Sequence, residues 1–123
     1  MLTGGVERIY STCHAFAAVK ENGAVVTWGH PEYGGDSSSV KQQLASDVQK
    51  ITSTSQAFAA VKADGSVVAW GHPDKGGKTA GVQDCLKSVK DIYATPEAFA
   101  AVTRDGAVVT WGEAEFGGDN ASA

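Results

Sequence analysis

Few residues in this chain could do chemistry, and their spacing decides what kind. Three histidines occur, His14, His30 and His72. His30 and His72 each open a His-Pro loop at the same point of a recurring phrase, where a third occurrence has Glu113-Ala114. A metal ion on His30, His72 and Glu113 would need three equivalent loops to converge to about 2 Å from it. Solvated loop residues are the expectation instead. Gly34-Gly35-Asp36 and Gly117-Gly118-Asp119 superficially look like glycine-aspartate calcium repeats, but such a site needs roughly six to eight oxygens, and Lys78 replaces the Asp in the middle occurrence. Capping of a following helix by Asp36 and its serines explains the motif more simply. Ser39, Thr79 and the other hydroxyls have no His and Asp at a nucleophile spacing, and no phosphate loop or dinucleotide fingerprint is present. The two cysteines, Cys13 and Cys85, form no C-x-x-C pair, which excludes a zinc knuckle. Free, half-buried thiols are expected rather than a disulfide, in keeping with a reducing compartment. No catalytic residue, metal or cofactor is expected.

What the sequence does contain is a repeat. "AFAAVKENGAVVTWG" from Ala15 returns as "AFAAVKADGSVVAWG" from Ala57 and "AFAAVTRDGAVVTWG" from Ala98. Trp28 and Trp70 are 42 residues apart, and Trp70 and Trp111 are 41 apart, because "LASDV" has shortened to "LKSV". A deletion tolerated there marks a loop. The units run Val6 to Asp47, Val48 to Ser88 and Val89 to Ala123, within a single domain over residues 1–123.

Each unit must position its loops with strands. Asn22-Gly23, Asp64-Gly65 and Asp105-Gly106 predict two-residue type I′ hairpin turns, with Gly23, Gly65 and Gly106 at positive φ. Folding about the first turn sets Val19 opposite Val26 and Ala17 opposite Trp28. Phe16, Ala18, Val25 and Thr27 then fill the other face, so the hairpin is expected to be covered on both sides. Trp28, Trp70 and Trp111, with Phe16, Phe58 and Phe99, are assigned to the core. "VERIYST" and its equivalents predict a strand before each hairpin. "SSVKQQLAS" (Ser38 to Ser46) predicts a short helix, from the capping-box spacing of Ser39 and Gln42 and the one-turn spacing of Val40 and Leu44; Val82 and Leu86 keep that spacing in the second unit. One such unit cannot bury both faces alone, so units must stack.

At Asp64-Gly65, Trp70-Gly71 and Gly76-Gly77, and at their counterparts, the chain resembles the β-propeller repeats of the regulator of chromosome condensation family. It is also similar to a shorter 42-residue variant of the form AFAA…DGSVVTWG…GGDSS. Family units are nearer fifty residues and close a ring of seven, whereas this chain offers three shorter ones. Where the family carries a histidine before its apolar strand, only His14 matches, with Gln56 and Glu97 in its place elsewhere. The resemblance implies blade-like units and, for most members, protein binding. Some members are nucleotide-exchange factors, parts of ubiquitin ligases or photoreceptors, and no exchange-factor contact residue carries over.

The expected fold is therefore mainly β: three blade-like repeats of three strands plus a short helix, stacked as in a propeller. A closed pseudo-threefold arrangement like a β-trefoil is the alternative. The expected function is a non-catalytic module for protein interaction or scaffolding, with an exchange-type regulator or a surface-adhesion repeat as rivals. Tyr33, Lys75 and Phe116 vary at one equivalent loop position against a constant frame. With His30 and His72 they either recognise a partner or drift neutrally in solvent. A formal net charge of −4 and the absence of a basic run argue against nucleic acid. No apolar stretch suggests a signal peptide or membrane insertion. A protein partner or a homo-oligomer is expected to cover the ends of the stack.

Overall fold

A computed structural model describes residues 5–72, Thr79 and residues 86–112. Strands β1 (Val6–Ser11), β2 (Ala15–Lys20) and β3 (Val25–Gly29) form the first antiparallel sheet, in that order. β4 (Val48–Ser53), β5 (Ala57–Lys62) and β6 (Val67–Gly71) form the second, and β7 (Val89–Ala94), β8 (Ala98–Thr103) and β9 (Val108–Gly112) the third. Each first strand has the same register irregularity, after Val6, Val48 and Val89. Among the described residues no helix is long and apolar enough to cross a membrane.

The hairpin turns differ from expectation by one residue of register. Val19 faces Val25, Ala18 faces Val26 and Phe16 faces Trp28. Lys20 N–H donates to the Ala24 carbonyl and Gly23 N–H to the Lys20 carbonyl, which encloses three loop residues rather than two. The reason lies in the backbone. Only Gly23 is left-handed (φ 81°), whereas a type I′ turn needs positive φ at Asn22 as well. The Asn22 side chain instead accepts the Ala24 N–H at 3.0 Å. Because side chains alternate, this slip exchanges the faces of β3 relative to β2. Ala17, Val19 and Val25 now share one face, and Phe16, Ala18, Val26 and Trp28 the other.

Those faces place the core between sheets. Ala15, Ala17, Val19 and Leu44 pack with Ile51, Phe58, Ala60, Val68 and Trp70 of the second sheet. Ala59, Val61, Val67 and Leu86 of the second pack with Ile92, Phe99, Ala101, Val109 and Trp111 of the third. Alanines on the facing strands let sheets approach while each Phe–Trp pair fills the gap. Among the described residues the stack is open at both ends, with Phe16 and Val108 exposed, so the trefoil-like closure is not formed.

The helix expected over Ser38 to Ser46 is not there. A single 3-10 turn spans Ser38–Val40, followed by turns in which Leu44 N–H reaches the Val40 carbonyl at 3.1 Å. Ser39 and Gln42 make no capping box, and the N-cap, Ser37, has no side-chain capping bond; Asp36, one residue earlier, accepts the Ser38 N–H at 3.0 Å. One turn suffices because only Leu44, with half-buried Val40, anchors this segment in the core. Its equivalent in the second unit lies mostly outside the described residues.

Carboxylates recur at these turns. Asp64 accepts the Ser66 hydroxyl at 2.6 Å and its N–H at 3.0 Å, and Asp105 accepts the Thr103 hydroxyl and the Ala107 N–H. Asp91 bridges two sheets by pairing with Lys50 at 2.6 Å. Hydrogen bonds from Ser66, Thr103 and Lys50, respectively, hold these three carboxyls below the usual aspartate range. A depressed folded-state pKa contributes stability above the ordinary value and loses it as pH falls through the lowered one. The melting temperature should therefore hold as pH drops to about 4 and fall below that. Asp64→Asn, which keeps an acceptor without the charge, should flatten part of the acid limb in a pH series of thermal melts. A melting temperature independent of pH down to about 2.5 would exclude this role for the turn carboxylates.

Candidate interaction surface

The sheets hold up a set of rings that the sequence scatters from His14 to His72. β3 ends at Gly29, whose left-handed φ of 111° brings it so close to β2 that a Cβ would lie 2.7 Å from the Ala15 Cα. The chain then turns away from the sheet. His30 N–H donates to the His14 carbonyl at 2.8 Å, joining the two histidine-bearing loops. Pro31 starts a 3-10 turn, Pro31–Tyr33, and the His30 Nδ1 caps it by accepting the Glu32 N–H at 3.2 Å. The Thr12 hydroxyl fixes the far end by donating to the Tyr33 carbonyl at 2.8 Å.

Tyr33 sits at the centre of this group. Its ring is stacked 4.5 Å from His30 and 6.4 Å from His72 of the following unit, and lies tilted 5.3 Å from His14. His14 and His30 are exposed, and Tyr33 and His72 half-buried. The Tyr33 ring presents an apolar face with a hydrogen-bonding tip, the combination enriched where proteins bind each other. Among the described residues no three of His, Cys, Asp and Glu gather closely enough to hold a metal ion.

The residues singled out from sequence are thus only partly assembled. Tyr33, His30 and His72 come together, joined by His14, which loop variability did not single out. Lys75, Phe116, Glu113 and Cys85 lie outside the described residues. Gly23, Gly65 and Gly106 have the left-handed φ expected of them, at 81°, 85° and 92°. Phe58, Phe99, Trp70 and Trp111 are buried. Phe16 is not, at 44% exposure, and Trp28 is only half-buried, because no sheet precedes theirs in the described stack. Cys13 is a free thiol, exposed rather than half-buried.

The same loop explains the Gly-Gly pair. Gly34 lies against the second sheet, where a Cβ would come within 2.5 Å of the Phe58 ring, and its carbonyl accepts the Trp70 Nε1–H at 3.1 Å. The loop leaving one unit therefore covers the Phe–Trp pair of the next. Sequence reading treated the pair as cap and loop. The overlooked signal was that Gly-Gly recurs wherever the Phe and Trp recur.

No protein-family model and no curated protein matches the sequence. Solved structures do match. Prp20p from Saccharomyces cerevisiae superposes with a TM-score of 0.63 at 17% identity, over 91% of this chain and 32% of that one. Human WBSCR16 gives 0.61 at 20% identity, over 87% and 34%. The three sheets have the fold of RCC1-type propeller blades. A chain in the complex of Kap60 bound to yeast RCC1 (Prp20) agrees, with a TM-score of 0.64 at 15% identity over 91% of this chain and 30% of that one. This chain spans about a third of the length of these matches. Each three-stranded sheet is one RCC1-type blade, and the ring cluster stands where the loops of the first two blades meet.

Proposed function

We propose that this three-blade chain acts by binding another protein, without catalysis, and that the cluster of His14, His30, Tyr33 and His72 is part of the contact surface. The observation that carries this reading is the cluster itself. Four rings from three loops and two blades lie within 6.4 Å of a ring neighbour while remaining exposed or half-buried. The RCC1-type neighbours support the reading by analogy: Prp20p is described by its binding to Gsp1p and histones, and RCC1 by its complex with Kap60.

The test is to isolate the partner by cross-linking to the immobilised chain and to titrate the purified pair. Tyr33→Ala should weaken binding by about tenfold or more, as for a central aromatic contact. Lys87→Ala, at an exposed position in another loop, should leave it unchanged. Unchanged affinity in both Tyr33→Ala and His30→Ala would remove the cluster from the interface. Accelerated nucleotide release from a small GTPase would replace this reading with the exchange-type regulator.

A further inference from the structure

The two internal blade interfaces serve as templates for what the open ends would accept. Each blade turns one face toward the blade before it and the other toward the blade after it. The backward faces of blades 2 and 3 are sealed: Ile51 and Ile92 are each 4% exposed, and Phe58 and Phe99 are 0% and 1%. Their equivalents on blade 1, Ile9 and Phe16, are 55% and 44% exposed. The forward faces show the same contrast. Val67 of blade 2 is 5% exposed, and its equivalent Val108 on blade 3 is 52%. At the hairpin turn, a Cβ on Gly23 or Gly65 would meet the entry of the next blade at 2.6 Å from Asp47 N and 2.8 Å from Ser88 Cα, while one on Gly106 would meet nothing within 4 Å. The Gly23 and Gly65 carbonyls accept the Val48 and Val89 N–H groups that open the next blades.

We propose that the forward face of blade 3 receives the backward face of blade 1 from a second copy of this chain, head to tail, repeating the internal interface. This goes beyond the ring cluster and uses different residues. Three features select blade 1 as the occupant. First, the apolar sets are the ones already paired internally: Ile9, Phe16 and Trp28 match Ile51, Phe58 and Trp70, and Ala100, Val102 and Val108 match Ala17, Val19 and Val25. Second, the third strand residue of each first strand sets charge across a junction. Lys50 of blade 2 pairs with Asp91 of blade 3 at 2.6 Å, whereas Arg8 and Lys50, both cationic, make no pair between blades 1 and 2. A second copy sets its Arg8 against Asp91, again opposite charges. Third, the Ser53 hydroxyl of blade 2 donates to the Ser11 carbonyl of blade 1 at 2.8 Å. Ser11 of the second copy stands in Ser53's place, facing the Ala94 carbonyl, whereas Ala94 itself has no hydroxyl to offer.

One backbone hydrogen bond of the internal series is missing at the new junction. Cys13 N–H donates to the Ser55 carbonyl, and Ser55 N–H to the Pro96 carbonyl, at 2.9 and 2.8 Å. Pro96 has no N–H with which to continue that series. The junction between copies is therefore weaker than those inside the chain, and association should depend on concentration. Because the contact is heterologous, it continues until the blades close a ring or the chain adds further copies.

Sedimentation or light scattering of the 123-residue chain over a concentration series tests this. The wild type should move from the mass of one chain to whole multiples of it. Phe16→Glu blocks the backward face of blade 1 and Val108→Glu the forward face of blade 3; both positions are half exposed, so both variants should fold, as a thermal melt checks. Each alone should stay monomeric. Mixed, they should give a complex of two chains and no larger, since each retains the one face the other lacks. Arg8→Lys should associate as the wild type does, and Arg8→Glu about fivefold more weakly, through like charges at a partly exposed pair. A wild type that is monomeric at every concentration would overturn the proposal, leaving another protein or a further blade as the cover. So would self-association of Val108→Glu alone, which would mean that two blade 1 faces meet each other.

Discussion

Replacing Trp70 by alanine should destabilise the fold by about 3–5 kcal/mol, the range for a fully buried large aromatic. Trp70 is 2% exposed, lies 5.3 Å from the Phe58 ring, and donates its indole N–H to Gly34 of the neighbouring blade. The substitution therefore opens a cavity at the interface, strips the Phe58 ring of its stacking partner and leaves the Gly34 carbonyl without its donor. Trp28 is the internal control. It stacks on Phe16 at 5.5 Å but is only half-buried, so Trp28→Ala should cost roughly half as much or less. Chemical denaturation of the two variants measures the difference. Equal losses would mean that the tryptophans stabilise each blade from within rather than sealing one blade to the next.

Gly65→Val should cost about 3 kcal/mol or more, combining the strain of a β-branched residue in the left-handed region with a steric clash. Gly65 has φ 85° and is buried, and its Cβ would lie 2.8 Å from the Ser88 Cα and 3.1 Å from the Val89 N. Both neighbours are backbone, at the place where the Gly65 carbonyl receives the Val89 N–H. The valine must therefore push the third blade away. Gly106 has nearly the same φ, 92°, in an equivalent turn with nothing near its would-be Cβ. Gly106→Val thus isolates the conformational strain, about 1–3 kcal/mol. Thermal melts of the pair separate the two effects, and a Gly65→Val loss no larger than that of Gly106→Val would show that the turn does not carry the next blade.

The ring cluster was legible only in part. Variation among Tyr33, Lys75 and Phe116 on a constant frame drew attention to the right loop, since a side chain free to vary on a fixed backbone is free of core packing. That His14 and His72 would join Tyr33 was not legible. One arrives through the connection between β1 and β2, the other from the next blade, and their meeting depends on how two sheets rest on each other. The helix over Ser38 to Ser46 failed for a related reason. Its apolar spacing was real, but two anchoring side chains, Val40 and Leu44, are satisfied by one turn as well as by a helix.

By itself the sequence determined the repeat, the strands, the positive φ of Gly23, Gly65 and Gly106, and the need for units to stack, because these follow from backbone sterics and from apolar surface that one unit cannot hide. Only the tertiary structure decided the hairpin register, and with it which of Phe16 and Ala17 faces forward. A two-residue and a three-residue turn both satisfy Asn-Gly locally, and they differ by the one residue that exchanges the faces of a strand. The choice falls to the neighbouring blade. With Phe58, Val68 and Trp70 on one face, the aromatic pair closes against the small residues of the blade before it, and the Gly34 loop can reach the Trp70 indole. That fit is a property of two units packed together, and no local stretch of either one contains it.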